Sequence, residues 1–191
     1  KTAARLSMGL KSSDVVSGMV ATNQIRKDWG LAFVVFDQIR KQRPHVKFWI
    51  HVDDLYRHWN IQAMIQDYRL QGHVRLTEPD SMSDTELSWY YSGCDLTILP
   101  SAEGFGYPIA ESLACGTPVI HGNYAGGAEL ITDPRGLVEP VTFRLEGFYN
   151  QLRPVYDPMD WRNAILHMLD HPLSAEECRA SVEHLDWMRR C

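Results

Sequence analysis

Two carboxylates, Glu103 and Glu111, flank the stretch Gly104-Phe-Gly-Tyr-Pro108. Gly104 and Gly106 carry no Cβ, so the backbone there can bend sharply and approach a ligand. Pro108 suits the first turn of a helix, which the sequence predicts to run to about Cys115. The free N–H groups at such a helix start attract an anion such as a phosphate. A carboxylate in contact with that anion would be repelled, so Glu103 and Glu111 are expected to accept hydrogen bonds from neutral hydroxyls. A sugar and a ribose on either side of a diphosphate supply such hydroxyls. Each Glu on its own also reads as a capping or a solvated helix residue, and the combination is what points to a ligand.

The elements around this turn must bring it to a sheet edge. Cys94–Pro100 reads as a buried strand, because Leu96, Ile98 and Leu99 are apolar, Thr97 favours strands and Pro100 ends the ladder. Strands are predicted at Val15–Ala21, Val46–Val52, Val74–Thr77, Val119–His121 and Gly136–Val138. Helical patterns alternate with them. One is capped by Asp28 and carries Leu31, Val34, Val35, Phe36 and Ile39; a second runs from Ile61 past Tyr68 to Leu70, ended by Gly72. A third starts at the capping box Ser83-Asp-Thr-Glu86. Near the end come Asp160–Leu169 and a helix capped by Ser174 with Val182, Leu185 and Met188. This alternation defines an α/β class with a doubly wound parallel, Rossmann-like sheet. Ligands in such sheets bind outside the carboxyl ends of the strands. Glu139–Asp157 is less regular and is expected as a long surface excursion held down by its aromatics, or as a lid.

From Glu103 to Glu111 the chain resembles the retaining glycosyltransferases of the GT-B fold, the family 4 group, whose donor domain carries E-G-F-G-x-P-x-x-E. The resemblance implies the C-terminal, donor-binding half of such an enzyme. It implies that Glu103 meets the transferred sugar, that Glu111 meets the nucleotide ribose, and that backbone amides of Gly104, Phe105, Gly106 and Tyr107 meet sugar and phosphate. Ser17-Gly-Met-Val-Ala-Thr-Asn-Gln-Ile-Arg-Lys27 looks like the family's first strand and cationic phosphate loop. That brings in Gly18, with Lys27 as diphosphate ligand and Asn23 and Arg26 as further donor-binding candidates. Many members carry an Arg where this chain has Thr22, so a two-cation clamp requires Arg26 to turn inward. Gly126-Gly-Ala-Glu129 resembles another family element near the donor, although Glu129 also reads as a first-turn helix Glu. The base is expected along the rim at Glu78–Met82, with no residue assigned to it.

By the same resemblance, residues 1–11 form an interdomain connection and 12–191 the donor domain, with Trp187–Cys191 starting a crossing back to the missing acceptor half. The implied activity is retaining and metal-independent, with Glu103 and Lys27 as the catalytic pair and no cofactor. The implied substrate is a nucleoside-diphosphate sugar, UDP- or GDP-linked. A glycan, lipid or small-molecule acceptor would enter through the absent N-terminal domain, and the domain alone is expected to bind donor without turnover. A binding module without chemistry and a GT-B-type sugar-nucleotide epimerase remain as alternatives.

Composition narrows the choice. With 191 residues, 45% of them hydrophobic, the chain can bury one substantial core. A net charge of −5 with scattered cations argues against a nucleic-acid surface. Four cysteines without Cys-x-x-Cys spacing, and no apolar run of the about 20 residues a membrane span needs, point to the cytoplasm, with peripheral membrane association of the full-length protein left open. The absence of Asp-x-Asp removes the usual sign of a metal-dependent GT-A enzyme, and the histidines have no zincin spacing, so no metal site is expected. His121 reads as a core or rim histidine. No Gly-x-Ser-x-Gly occurs, and a dinucleotide fingerprint at Gly104–Ile109 would lack its third glycine and contain Pro108.

Overall fold

The computed structural model describes residues 1–7, 9–77 and 82–185. Six strands form one parallel sheet: β1 (Val15–Val20), β2 (Val46–His51), β3 (Val74–Thr77), β4 (Leu96–Leu99), β5 (Val119–Gly122) and β6 (Leu137–Val138), in the order β3-β2-β1-β4-β5-β6. β4 and β5 are buried at every position, as strands covered on both faces must be. The sheet is the doubly wound, Rossmann-like arrangement expected from the alternation of elements.

Successive strand residues point to opposite faces and so feed two cores. Met19, Phe48, Ile50, Leu96 and Ile98 join the larger cluster with Trp29, Phe33, Phe36 and Ile39 of α2 (Trp29–Gln42) and Trp161, Ile165 and Met168 of α6 (Pro158–Asp170). Val16 and Trp49 pack with Leu10, Tyr90, Tyr91 and Cys94 under α4 (Asp84–Gly93). The caps form as their residue types predict. Asp28, itself at φ +46°, accepts from the Leu31 N–H at 3.1 Å, and Ser83 and Ser174 each form a reciprocal capping box.

Several elements differ from expectation. α3 spans Ile61–Asp67 and stops short of Leu70, because Arg69 turns to φ +52° and the Leu70 N–H reaches back to the Ile65 carbonyl. Residues 1–11 include a helix, α1 (Thr2–Ser7), docked on α4: the buried Arg5 donates to the Gly93 and Ser12 carbonyls and pairs with Asp95. The stretch taken as irregular contains an antiparallel hairpin, β7 (Thr142–Glu146) and β8 (Gln151–Val155). Its aromatics hold it down in part, with the Phe143 ring 5.4 Å from that of Tyr124. Tyr156 is buried against Trp161, but Phe148 and Tyr149 at the tip are 94% and 81% exposed. α7 (Ala175–Val182) follows Ser174, while Met188 and the crossing expected at 187–191 lie outside the described residues. No helix among the described residues is long and apolar enough to cross a membrane.

Candidate functional site

The sheet opens where its strand order reverses. β1 pairs with β2 along its whole length but with β4 only at Ser17 and Gly18. Beyond that point the Tyr90 hydroxyl comes in against the sheet, 3.0 Å from the Met19 N–H. A cleft of about 400 Å³ occupies the gap at the strands' carboxyl ends, bounded by Thr22, Lys27, His51, Asp53, Met82 and Glu111. This is the topological switch point of the sheet, where open α/β folds hold their ligands. Met82 is the one residue of the expected base rim that is described outside the strand, since 78–81 fall outside the described residues.

Beside the cleft, Lys27 and Glu103 form a buried ion pair, at 5% and 6% exposure. Glu103 also accepts from the Ser101 hydroxyl at 2.5 Å and from Arg26 at 3.3 Å. Arg26 turns inward, and the same guanidinium nitrogen lies 3.1 Å from the Ala102 carbonyl. Burial pushes the Glu103 carboxyl up, but the hydrogen bonds from Lys27 and Ser101 and the charges of Lys27 and Arg26 outweigh it and hold Glu103 below its ordinary range. Burial draws Lys27 below the usual lysine value, partly offset by Glu103. Two cations thus face one carboxylate, while the carboxylates of Asp53 and Glu111 line the cleft beside Lys27. Glu103 therefore meets two cations and the Ser101 hydroxyl within the chain itself.

The Glu103 turn rests on Gly126 and Gly127. A Cβ on Gly126 would stand 1.9 Å from the Gly104 carbonyl oxygen, and one on Gly127 2.7 Å from His121 Nε2. Glycine is needed at Gly126 for contact between backbones and at Gly127 for packing against the His121 and Ile109 side chains. Ala125, at φ +61°, bridges to Glu103, and the Gly127 N–H reaches the Glu103 carbonyl at 3.3 Å. His121 is fully buried with Nδ1 2.6 Å from the Leu99 carbonyl; burial holds it neutral, below the ordinary histidine value, against the opposing pull of that carbonyl and of Glu103. His121 is thus a core histidine that underlies the turn.

Glu111 extends from α5 (Tyr107–Ala114) to the cleft wall, and its Oε2 accepts from the Tyr91 hydroxyl at 2.7 Å. The backbone behind it is fixed by a buried polar chain. Thr97 and Ser112 hydroxyls lie 2.8 Å apart, Ser112 donates to the Thr117 carbonyl, and Thr117 donates to the Tyr91 carbonyl. α5 begins at Gly106, in the left-handed region at φ +92°, with Pro108 in its first turn and no side-chain cap on its first N–H groups. A Cβ on Gly104 would meet nothing within 4 Å. Phe105 and Tyr107 are exposed, at 43% and 71%, with rings 5.0 Å apart.

Two candidates have structural duties elsewhere. Gly18 lies inside β1, where a Cβ would collide with Cys94 Sγ at 2.6 Å, so its glycine is required by packing against α4. Asn23 is fully buried and its amide is saturated. It donates to the Asp54 and Trp59 carbonyls and accepts from the Trp59 N–H at 2.9 Å, which ties the Lys27 loop to the 53–59 segment. The Asn23 side chain thus has no group left for a donor. Glu129 is exposed on a 3-10 turn over Gly126–Leu130. Sequence reasoning missed Tyr91 and Ser101. Ser101, two residues before Glu103, was within reach of a local argument, whereas the direction of the Tyr91 hydroxyl depends on how α4 meets α5. Among the described residues no group of three or more His, Cys, Asp and Glu side chains is placed to hold a metal ion.

The fold is of the doubly wound α/β class, with a switch-point cleft lined by Lys27, Asp53 and Glu111 beside an uncapped helix start. The chain belongs to the family Glycosyl transferases group 1, whose model matches residues 2–172. It is 27% identical over 160 residues to a D-inositol 3-phosphate glycosyltransferase of Paenarthrobacter aurescens, a match covering 79% of this chain and 35% of that protein. Among solved structures it is similar to sucrose-phosphate synthase from Thermosynechococcus elongatus (TM-score 0.77, 24% identity, covering 99% of this chain and 46% of that one). It is also similar to Anabaena HepE in complex with UDP-glucose (TM-score 0.72, 19% identity, covering 95% and 46%). These neighbours share the GT-B glycosyltransferase fold. The chain spans about a third of the length of the Paenarthrobacter relative and less than half of these solved chains.

Proposed function

We propose that this chain is the C-terminal, donor-binding domain of a retaining, metal-independent glycosyltransferase of family 4, and that its switch-point cleft takes a nucleoside-diphosphate sugar. The observation that carries the reading is that Lys27 and Glu111 line one cleft at the reversal of the strand order, with Glu103 and Arg26 joined to Lys27 at its edge. The diphosphate would lie against Lys27, Arg26 and the Gly106 and Tyr107 N–H groups at the start of α5, where the two cations and the helix start both favour an anion. Glu111, with one oxygen held by Tyr91, would receive the ribose hydroxyls, and Glu103 those of the sugar. The UDP-glucose complex of the structurally similar Anabaena protein supports a UDP-linked donor, and the inositol-phosphate glycosyltransferase relative supports transfer to a hydroxyl.

In the proposed reaction the acceptor oxygen bonds to the anomeric carbon on the face from which the diphosphate departs. The bond from that carbon to the phosphate oxygen breaks, its electron pair stays with the diphosphate, and a phosphate oxygen takes the hydroxyl proton. Lys27, Arg26 and the Gly106 and Tyr107 N–H groups stabilise the charge on the leaving group. The acceptor would come from the N-terminal domain of the full-length enzyme, so the chain alone binds donor without turning it over, in the cytoplasm. Calorimetric titration with UDP, GDP and ADP tests this. One diphosphate should bind, and Glu111→Ala should weaken it about 10–150-fold, the equivalent of one charge-assisted hydrogen bond. Binding of no diphosphate, or an unchanged affinity in the variant, overturns the assignment.

A further inference from the structure

A second cavity, of about 330 Å³, lies on the same rim and shares no lining residue with the cleft. Glu103 and Gly104 form one side, Tyr124 stands after β5, and Gln151, Leu152 and Arg153 of the hairpin close it. The hairpin wall is fixed in place. The Tyr124 hydroxyl donates to the Leu152 carbonyl at 3.0 Å, the rings of Tyr124 and Phe143 lie 5.4 Å apart, and Arg153 pairs with Glu146 at 3.2 Å. Arg153 also donates to the side-chain carbonyl of Gln151. That contact occupies the amide's acceptor and leaves its NH2 as a pair of donors on an exposed strand.

The lining chemistry is that of a pyranose site. An amide NH2 suits hydroxyl oxygens, an aromatic ring suits the apolar C–H face of a sugar, and the open face of Gly104 offers peptide groups without a side chain in the way. The position is continuous with the cations. Arg26 bonds the Ala102 carbonyl, and Ala102 and Glu103 both line this second cavity while Glu103 holds Lys27 and Arg26. A sugar joined to a diphosphate on those cations would pass over Glu103 into this space.

We propose that the β7–β8 hairpin is a wall of the subsite for the transferred hexose, and that Gln151 reads its hydroxyls. The proposal rests on the donor-domain reading. It is tested on the 191-residue chain by titrating UDP beside UDP-glucose, and GDP beside GDP-mannose, with wild type, Gln151→Ala and Tyr124→Phe. For the diphosphate that binds, both variants should keep the wild-type affinity. The matching sugar nucleotide should bind about 3–10-fold more weakly in each, the loss of roughly one neutral hydrogen bond. An unchanged sugar-nucleotide affinity, or an equal loss for both ligands, overturns the hairpin subsite while leaving the nucleotide site standing. Failure of wild type to bind any diphosphate removes both assignments together.

Discussion

The Tyr91 hydroxyl on α4 donates a 2.7 Å hydrogen bond to Glu111 Oε2 on α5, and Tyr91 itself is 1% exposed. Burial, and then the Glu111 charge, push the Tyr91 phenol far up, so it stays a donor at any physiological pH. One Glu111 oxygen is thereby occupied and the carboxylate is aligned before a ligand arrives. Tyr91→Phe should weaken diphosphate binding about 5–10-fold through lost pre-organisation. It should also shrink the preference for a ribose over a 2′-deoxyribose diphosphate. Calorimetry with both nucleotides reads this, and an intact ribose preference would separate Tyr91 from ribose recognition.

Removing one member of a buried pair costs more than removing both. Lys27→Met leaves Glu103 with only Arg26 and Ser101, and should lower stability by about 3 kcal/mol, the low end for a broken buried pair because Arg26 remains. Lys27→Met with Glu103→Gln should recover at least half of that. Urea denaturation of the two variants decides it, and equal losses in both would mean that Glu103 is not held by Lys27.

Asn23 closes the loop that carries Lys27. Asn23→Ala leaves the Trp59 N–H and two carbonyls without partners, at a cost of about 2–3 kcal/mol. Asn23→Asp sets a buried carboxylate oxygen against the same two carbonyls, so its melting temperature should fall at least as far as that of the alanine variant. A wild-type melting temperature for the alanine variant would show that the amide is not a brace.

His121 makes stability fall on acidification. Its folded pKa lies below the ordinary value of 6.5 because burial penalises the imidazolium, so the unfolded chain takes up the proton first. The stability tied to the neutral ring is complete above pH 6.5 and is lost as pH falls through the lower folded value. Glu103, also depressed, adds its loss only below about pH 4.5. Denaturation midpoints from pH 7.5 down to about pH 5 should therefore decline in wild type, with a shallower slope in His121→Gln. An equal slope in the variant would assign the decline to another group.

Much of this was present in residue types and spacing. Six apolar strands, the Asp28, Ser83 and Ser174 caps and the Glu103–Glu111 turn follow from periodicity and local backbone chemistry, which act within a few residues of chain. The hairpin at 142–155 was not legible, because β8 contains Pro154 and the β7 side chains are mostly exposed, so neither strand shows the alternation of a half-buried sheet.

By itself the sequence determined the order of elements and the candidates Lys27, Glu103 and Glu111, since a turn, a cap or a buried strand is chosen by neighbouring residues. Tertiary structure alone decided which groups are free to meet a ligand. Gly18 and Asn23 had the right types in the right place, yet α4 and the 53–59 segment claim them. Arg26 comes to Glu103, and Tyr91 to Glu111, across chain separations that no local pattern spans. The physical reason is that a polar side chain has few bonding sites, and which partner fills them is settled only when the sheet and its helices close.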